Sequence, residues 1–243
     1  MLPYLEGEFG NPSSVHGWGQ RAEAALRQAR ATLASDLGCS PDEIVFTSGG
    51  SESNNLALRG AAWKQRLERS ANHILTTPVE HDAVLNTARQ LEALHGFQLE
   101  LLAVDRYGQL DPELLRQRIR ADTAVVSIIF GNNEIGTLNP IGVLGQICRE
   151  RGVPFHTDAL QTTSQLALNV EQHQVELASI GAHKFYGPKG VGALYVREAG
   201  VLSPIQTGGS QEFGLRAGTS NVPLIVGMAE AARIASEQRV EDA

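Results

Sequence analysis

The chain has 243 residues, a formal net charge of −7 and two cysteines. Its length allows one large core or two modest ones, its acidic balance argues against a nucleic-acid partner, and two cysteines make neither a disulfide framework nor a zinc cage. No apolar run approaches the ~20 residues of a membrane helix and no secretory pattern precedes residue 20, so a cytoplasmic setting without a membrane partner is expected.

Strand-like and helix-like stretches then alternate. Ser14 is placed to cap a helix through about residue 37, with Ala22, Leu26, Ala29 and Leu33 on one apolar face. Residues 43–47 read as a buried strand, followed by Ser48-Gly-Gly-Ser51 and a helix over 52–69. A strand over 73–77 leads to a helix over 81–94, and residues 97–104 alternate as a further strand. Asp111-Pro112 opens a helix in cap-then-proline order. The unbroken apolarity of 124–130 predicts a central strand. A helix over 141–151 and an extended run over 153–157 come next. Strands over 175–180 and 191–197 and a helix from about Val222 complete the list. The alternation predicts one α/β domain with a mostly parallel, seven-stranded sheet flanked by helices.

In such sheets ligands bind beyond the carboxyl ends of the strands. The polar motifs fall there: residues 47–51, 76–81, 131–134, 157–161 and 181–184 each follow a strand. Paired glycines in Ser48-Gly-Gly-Ser51 let backbone amides approach an anion at a helix N-terminus, though the same residues also serve plain strand–turn–helix punctuation. Asp158 could bind a ribose, a metal or a protonated ring nitrogen, or merely cap a helix. A metal is disfavoured, because only His81 adds to the His156–Asp158 pair as a ligand. His81 itself could lie against an aromatic ligand or move protons near neutral pH.

Lysine is scarce, with only Lys64, Lys184 and Lys189 present. An amine can lose its proton and condense with an aldehyde, which a guanidinium cannot do. Lys64 reads as part of a solvated helix face and Lys189, between Pro188 and Gly190, as a turn residue. Lys184 lies in Ala182-His-Lys-Phe-Tyr-Gly-Pro-Lys-Gly190, beside the predicted ligand edge. A phosphate cup, a carboxylate for a pyridine nitrogen, a stacking histidine and a reactive lysine together make a site for pyridoxal 5'-phosphate.

With these residues in view, the chain resembles cysteine desulfurases of the NifS/IscS-like group, in the class-V aminotransferase family. The markers are Phe9-Gly-Asn-Pro-Ser-Ser-Val-His16, Thr47-Ser-Gly-Gly-Ser-Glu-Ser-Asn-Asn55, Glu80-His81, Asn132-Asn-Glu-Ile-Gly136, His156-Thr-Asp-Ala-Leu-Gln161, the Lys184 segment and Leu215-Arg-Ala-Gly-Thr219. The resemblance implies the large domain of the fold-type-I transferases over residues 16–243, preceded by an arm over 1–15. It implies that Lys184 holds the cofactor covalently, Asp158 pairs with its ring nitrogen, Gln161 with its phenolic oxygen, and His81 stacks on the ring. Gly50, Ser51 and His183 match phosphate positions, and Asn133 matches a cofactor-side asparagine. Thr219 matches a threonine that reaches the phosphate of the neighbouring subunit, which implies a homodimer.

The implied reaction converts L-cysteine to L-alanine, leaving sulfur as an enzyme persulfide for an acceptor such as an iron–sulfur scaffold protein. Selenocysteine lyase, C–S lyase and aminotransferase activities use the same residues, and a catalytically silent cofactor-binding fragment is the remaining reading. Two departures stand out: Gly181 replaces a usual phosphate-binding serine and Ser210 a usual glycine. Neither Cys39 nor Cys148 lies in the context of the family's nucleophilic cysteine, so both are expected to be structural. The chain is therefore expected to be truncated at both ends relative to the family.

Overall fold

The structure, a computed structural model, describes residues 1–241 and the side chains of 1–239. Seven strands form one sheet: β1 (Ile44–Thr47), β2 (His73–Thr76), β3 (Gln98–Leu101), β4 (Thr123–Ser127), β5 (Phe155–Asp158), β6 (Leu177–Gly181) and β7 (Gly192–Val196). Their spatial order is β1-β7-β6-β5-β4-β2-β3. Among the described strands only β7 runs against its neighbours; the other strand pairings of the sheet are parallel. The mostly parallel, seven-stranded α/β sheet expected from the alternation is present.

The helices are α1 (Leu2–Glu6), α2 (Gly17–Leu37), α3 (Gly50–Arg69), α4 (Asp82–His95), α5 (Pro112–Arg118), α6 (Ile141–Glu150) and α7 (Val222–Glu241). They cover both faces of the sheet. Leu56, Leu58, Val84 and Leu91 of α3 and α4 build one core layer against Val45 and Leu194. Leu26 and Leu33 of α2, Leu144 and Ile147 of α6 and Met228 of α7 build the other, against Phe46 and Tyr195. Alternate residues of β1 and β7 thus serve opposite layers, as the pleat requires. Among the described residues no helix is long and apolar enough to cross a membrane.

Two local expectations are corrected. Ser14 does not cap α2; its amide donates to Asn11 O in a preceding turn, and His16 Nδ1 accepts from Gly19 N over 3.2 Å instead. The turn and the helix start pack so tightly that a Cβ on Gly19 would lie 2.1 Å from the Ser14 carbonyl oxygen. Helix α3 begins at Gly50, inside the anion loop, not at Glu52. By contrast, the Asp111 cap stands, its carboxylate accepting from Glu113 N over 2.9 Å.

Five parallel strands, β1, β2, β4, β5 and β6, end at Thr47, Thr76, Ser127, Asp158 and Gly181 on one edge. The register sets Asp158 beside Ser179, and Thr47 beside Gly192. That edge is where the polar segments collect.

Candidate active site

A cleft of about 570 Å³ opens at this edge. Gly50, Ser51, His81, Asn133, Asp158, Gln161, His183 and Lys184 all line it, joined by Ser48, Gly49, Glu52, Ile129, Leu160, Lys189 and Gly190. The five strand-end segments converge there because parallel strands deliver all their carboxyl ends to one side.

The loop after β1 is shaped for a close approach. Gly49 sits at φ +148°, a conformation for which glycine is suited. A Cβ on Gly50 would fall 1.9 Å from Leu160 Cδ2, so any larger residue there would have to displace the Leu160 side chain. Glu52, on the first turn of α3, takes the Ser48 amide on Oε2 at 2.6 Å and the Arg216 guanidinium on Oε1 at 2.7 Å. Burial pushes the Glu52 carboxyl up, but these bonds outweigh it and hold the group below its ordinary value. A carboxylate beside an anion cup would otherwise repel its ligand; Arg216 cancels that charge.

Asp158 ends β5 and is 4% exposed. Its Oδ2 accepts from the Asn54 amide at 2.7 Å and its Oδ1 from Leu160 N at 3.1 Å. Burial raises its pKa, opposed by these two bonds and by the His81 and Lys184 charges. No helix starts directly after Asp158 among the described residues, so its bond to Leu160 N closes a local turn and does not cap a helix. His156, two residues back, is fully buried with Ser127 and Ser179 hydroxyls on its two ring nitrogens at 2.8 and 3.0 Å. Desolvation pushes it down to about 3, so it stays neutral. No cluster of metal-ligating side chains occurs among the described residues.

His81 caps α4, its Nδ1 accepting from Ala83 N at 3.0 Å. In the neutral ring the proton then sits on Nε2. Lys184 lies in the short 3-10 turn Ala182–Phe185 directly after β6 and is exposed to the cleft. Burial and the charges of Lys184 and Lys189 hold the His183 imidazole below its usual range.

Three findings go beyond the expectations. Lys189, read as a turn residue, lines the cleft as well. Asn54 orients Asp158, and no local signal distinguishes it from Asn55, which bonds the Ser51 carbonyl of its own helix. Thr219 lies outside the cleft, in a neighbouring depression that shares only Ser48 and Gly190 with it. The cysteines behave as expected of structural groups: Cys148 is buried, and burial pushes the Cys39 thiol up to about 12.

Residues 1–243 match the family model described as Aminotransferase class-V. Cysteine desulfurase IscS of Dictyoglomus turgidum is 49% identical over 235 residues, covering 97% of this chain and 59% of its own length. Human cysteine desulfurase is 44% identical over 245 residues, covering 100% of this chain and 53% of itself. Among solved structures, a NifS-like protein superposes with a TM-score of 0.93 at 41% identity, over 99% of this chain and 66% of that one. SspA in complex with cysteine gives a TM-score of 0.90 at 44% identity, over 95% and 66%. The chain thus spans between about half and two thirds of the length of these relatives.

Proposed function

The chain belongs to the class-V aminotransferase family, and we propose that it is the cofactor-binding part of a cytoplasmic, homodimeric cysteine desulfurase using pyridoxal 5'-phosphate. The observation that carries this reading is the meeting of Lys184, Asp158, His81 and the Gly49–Gly50 cup around one cleft. The donor set fits the group. Asp158 is a buried carboxylate with no ion-pair partner among the described residues, as suits a cationic ring nitrogen. Gly49 and Gly50 carry no side chains over the loop amides, which suits a phosphate against that backbone.

When bound, the cofactor supplies an electron sink for negative charge at the substrate α-carbon. Lys184 would hold it through Nζ and afterwards move a proton at that same atom. Asp158 would keep the proton on the ring nitrogen, with Asn54 and Leu160 N aiming its two oxygens. His81 would cover the ring face and offer Nε2 for a second proton transfer. Gly50, Ser51 and His183 would take the phosphate, Gln161 the phenolic oxygen, and Asn133 the cofactor's side. Thr219 would serve the site of a second copy, which accords with its place outside the cleft of its own chain. L-cysteine would leave as L-alanine, its sulfur passing to a thiol and then to an acceptor such as an iron–sulfur scaffold protein. Neither cysteine of these 243 residues suits that role, given the burial of Cys148 and the raised thiol of Cys39.

Adding pyridoxal 5'-phosphate and reducing with borohydride is expected to label Lys184, as read by peptide mass. A label on Lys189 alone, or none, sinks the assignment. Production of alanine from cysteine by the protein containing this chain tests the reaction, and a transamination product in its place would favour an aminotransferase.

A further inference from the structure

The site built above leaves one carboxyl unused. Glu80 is 7% exposed, and its Oε1 accepts from the Thr77 hydroxyl at 2.7 Å and from Ile129 N at 2.9 Å. Its Oε2 is buried without a hydrogen-bond partner among the described residues. No cation acts on the group among the described residues. An ionised carboxylate so placed would keep its desolvation cost with no opposite charge to offset it, so the fold favours the uncharged acid.

Glu80 also sits where position matters. It immediately precedes His81, while Ile129 follows β4 and lines the cleft. The same turn is fastened again where the Asn132 amide donates to the Val79 carbonyl over 2.9 Å. The titratable groups lining the cleft are Glu52, His81, Asp158, His183, Lys184 and Lys189. Of these, Asp158 is the one whose charge bears on Glu80. The contacts from β2's end and β4's end, Thr77 and the Ile129 amide, carry no charge.

We propose that Glu80 is a positioning residue acting as an uncharged acid: it pins the His81 turn to Ile129 and leaves Asp158 as the unpaired carboxylate of the cleft. The roles of His81 and Asp158 rest on the functional reading; the protonation of Glu80 does not. Burial pushes the carboxyl from 4.5 up to about 8, helped by the Asp158 charge and opposed by its two hydrogen bonds.

Between 4.5 and about 8 the unfolded chain releases the Glu80 proton while the folded chain keeps it. Stability therefore falls as pH rises through that window, by up to about three thousandfold in the folding constant. Glu80→Gln keeps an acceptor for Thr77 and Ile129 and has no proton to lose. Urea unfolding across the window is expected to show the gap between variant and wild type moving in the variant's favour. A gap that stays constant, or moves toward wild type, overturns the proposal. If the glutamine variant does not fold, carboxyl carbon NMR of the wild-type chain decides: a Glu80 resonance titrating in the ordinary carboxylate range overturns it.

Pyridoxal 5'-phosphate titration near neutral pH reads the positioning. Glu80→Gln is expected to bind within about twofold of wild type, and Glu80→Ala, which loses the acceptor, about tenfold more weakly. Loss of binding in Glu80→Gln overturns the uncharged role. A wild-type chain that binds no cofactor overturns the functional reading instead, and the unfolding series still decides Glu80.

Discussion

Asn54 donates its side-chain amide to Oδ2 of Asp158 across 2.7 Å, reaching from the second turn of α3 to the end of β5. The helix whose start forms the anion cup therefore also aims the carboxylate. Cup and carboxylate are set by one rigid element, which fixes the distance between the two ends of any ligand held by both.

Replacing Asn54 by alanine removes a bond that holds the Asp158 pKa down. A hydrogen bond to a charged group is worth about 1.5–3 kcal/mol. Asn54→Ala is expected to weaken pyridoxal 5'-phosphate by at least tenfold while leaving the Lys184 adduct detectable, as measured by equilibrium dialysis and borohydride trapping. Unchanged affinity would show that Leu160 N alone suffices.

Gly181 offers a gain-of-affinity test. Its φ of −141° is open to any residue, and a Cβ there would lie 3.7 Å from Gly50 N, beside the cup. The nearest obstacle is Leu160 Cδ2 at 3.2 Å, which must give by a few tenths of an ångström. Gly181→Ser is expected to add about one hydrogen bond to the phosphate, or roughly fivefold in affinity. Weaker binding would mean that Leu160 cannot yield.

Thr219 makes a prediction about assembly. Lys184→Ala and Thr219→Ala chains, each defective, are expected to recover cofactor binding when mixed and allowed to exchange subunits. One site of the hybrid would then combine Lys184 from one copy with Thr219 from the other. No recovery above the unmixed samples would count against an intersubunit role.

Arg30 and Glu212 form a buried bidentate pair, with both contacts at 2.9 Å, and Arg30 lies between the rings of Phe46 and Phe213. Glu212 also takes Phe46 N at 2.8 Å and holds two non-glycine residues, itself and Phe213, at φ of 45° and 59°. Arg30→Met is expected to cost about 3–5 kcal/mol in urea unfolding, because it strands Glu212. Adding Glu212→Met should recover part of that loss. A double variant no better than the single would place the cost in packing.

Cys39 is half-buried, with its thiol pushed from 9.0 up to about 12. The thiolate is the reactive form, so labelling near neutral pH is expected to be about a thousandfold slower than for a thiol at the ordinary value. Ellman's reagent on the native chain checks this, with urea-unfolded chain as the control. Rapid labelling of native protein would reopen Cys39 as a sulfur acceptor.

Much of the site was legible because chemistry and strand ends coincide in the sequence. Lys184, Asp158, His81 and Ser51 each follow an apolar run, and a parallel sheet brings such segments together whatever lies between them. The direction of β7 was less visible. Only ten residues separate it from β6, too few for a helical crossover, and it pairs antiparallel. Asn54 was invisible for another reason: it and Asn55 are alike locally, yet one is 1% exposed under Asp158 and the other bonds its own helix.

The sequence by itself determined which chemical groups stand at the ends of the strands, since periodicity and composition are local and survive without coordinates. Tertiary structure decided their state and their neighbours. It moved Lys189 into the cleft, set Thr219 outside it, neutralised Glu52 with Arg216 and left Glu80 buried with no cation among the described residues. Charge in a protein depends on desolvation and on partners brought from distant segments, Glu52 and Arg216 lying 164 residues apart. Those quantities come into being only when the sheet closes its layers.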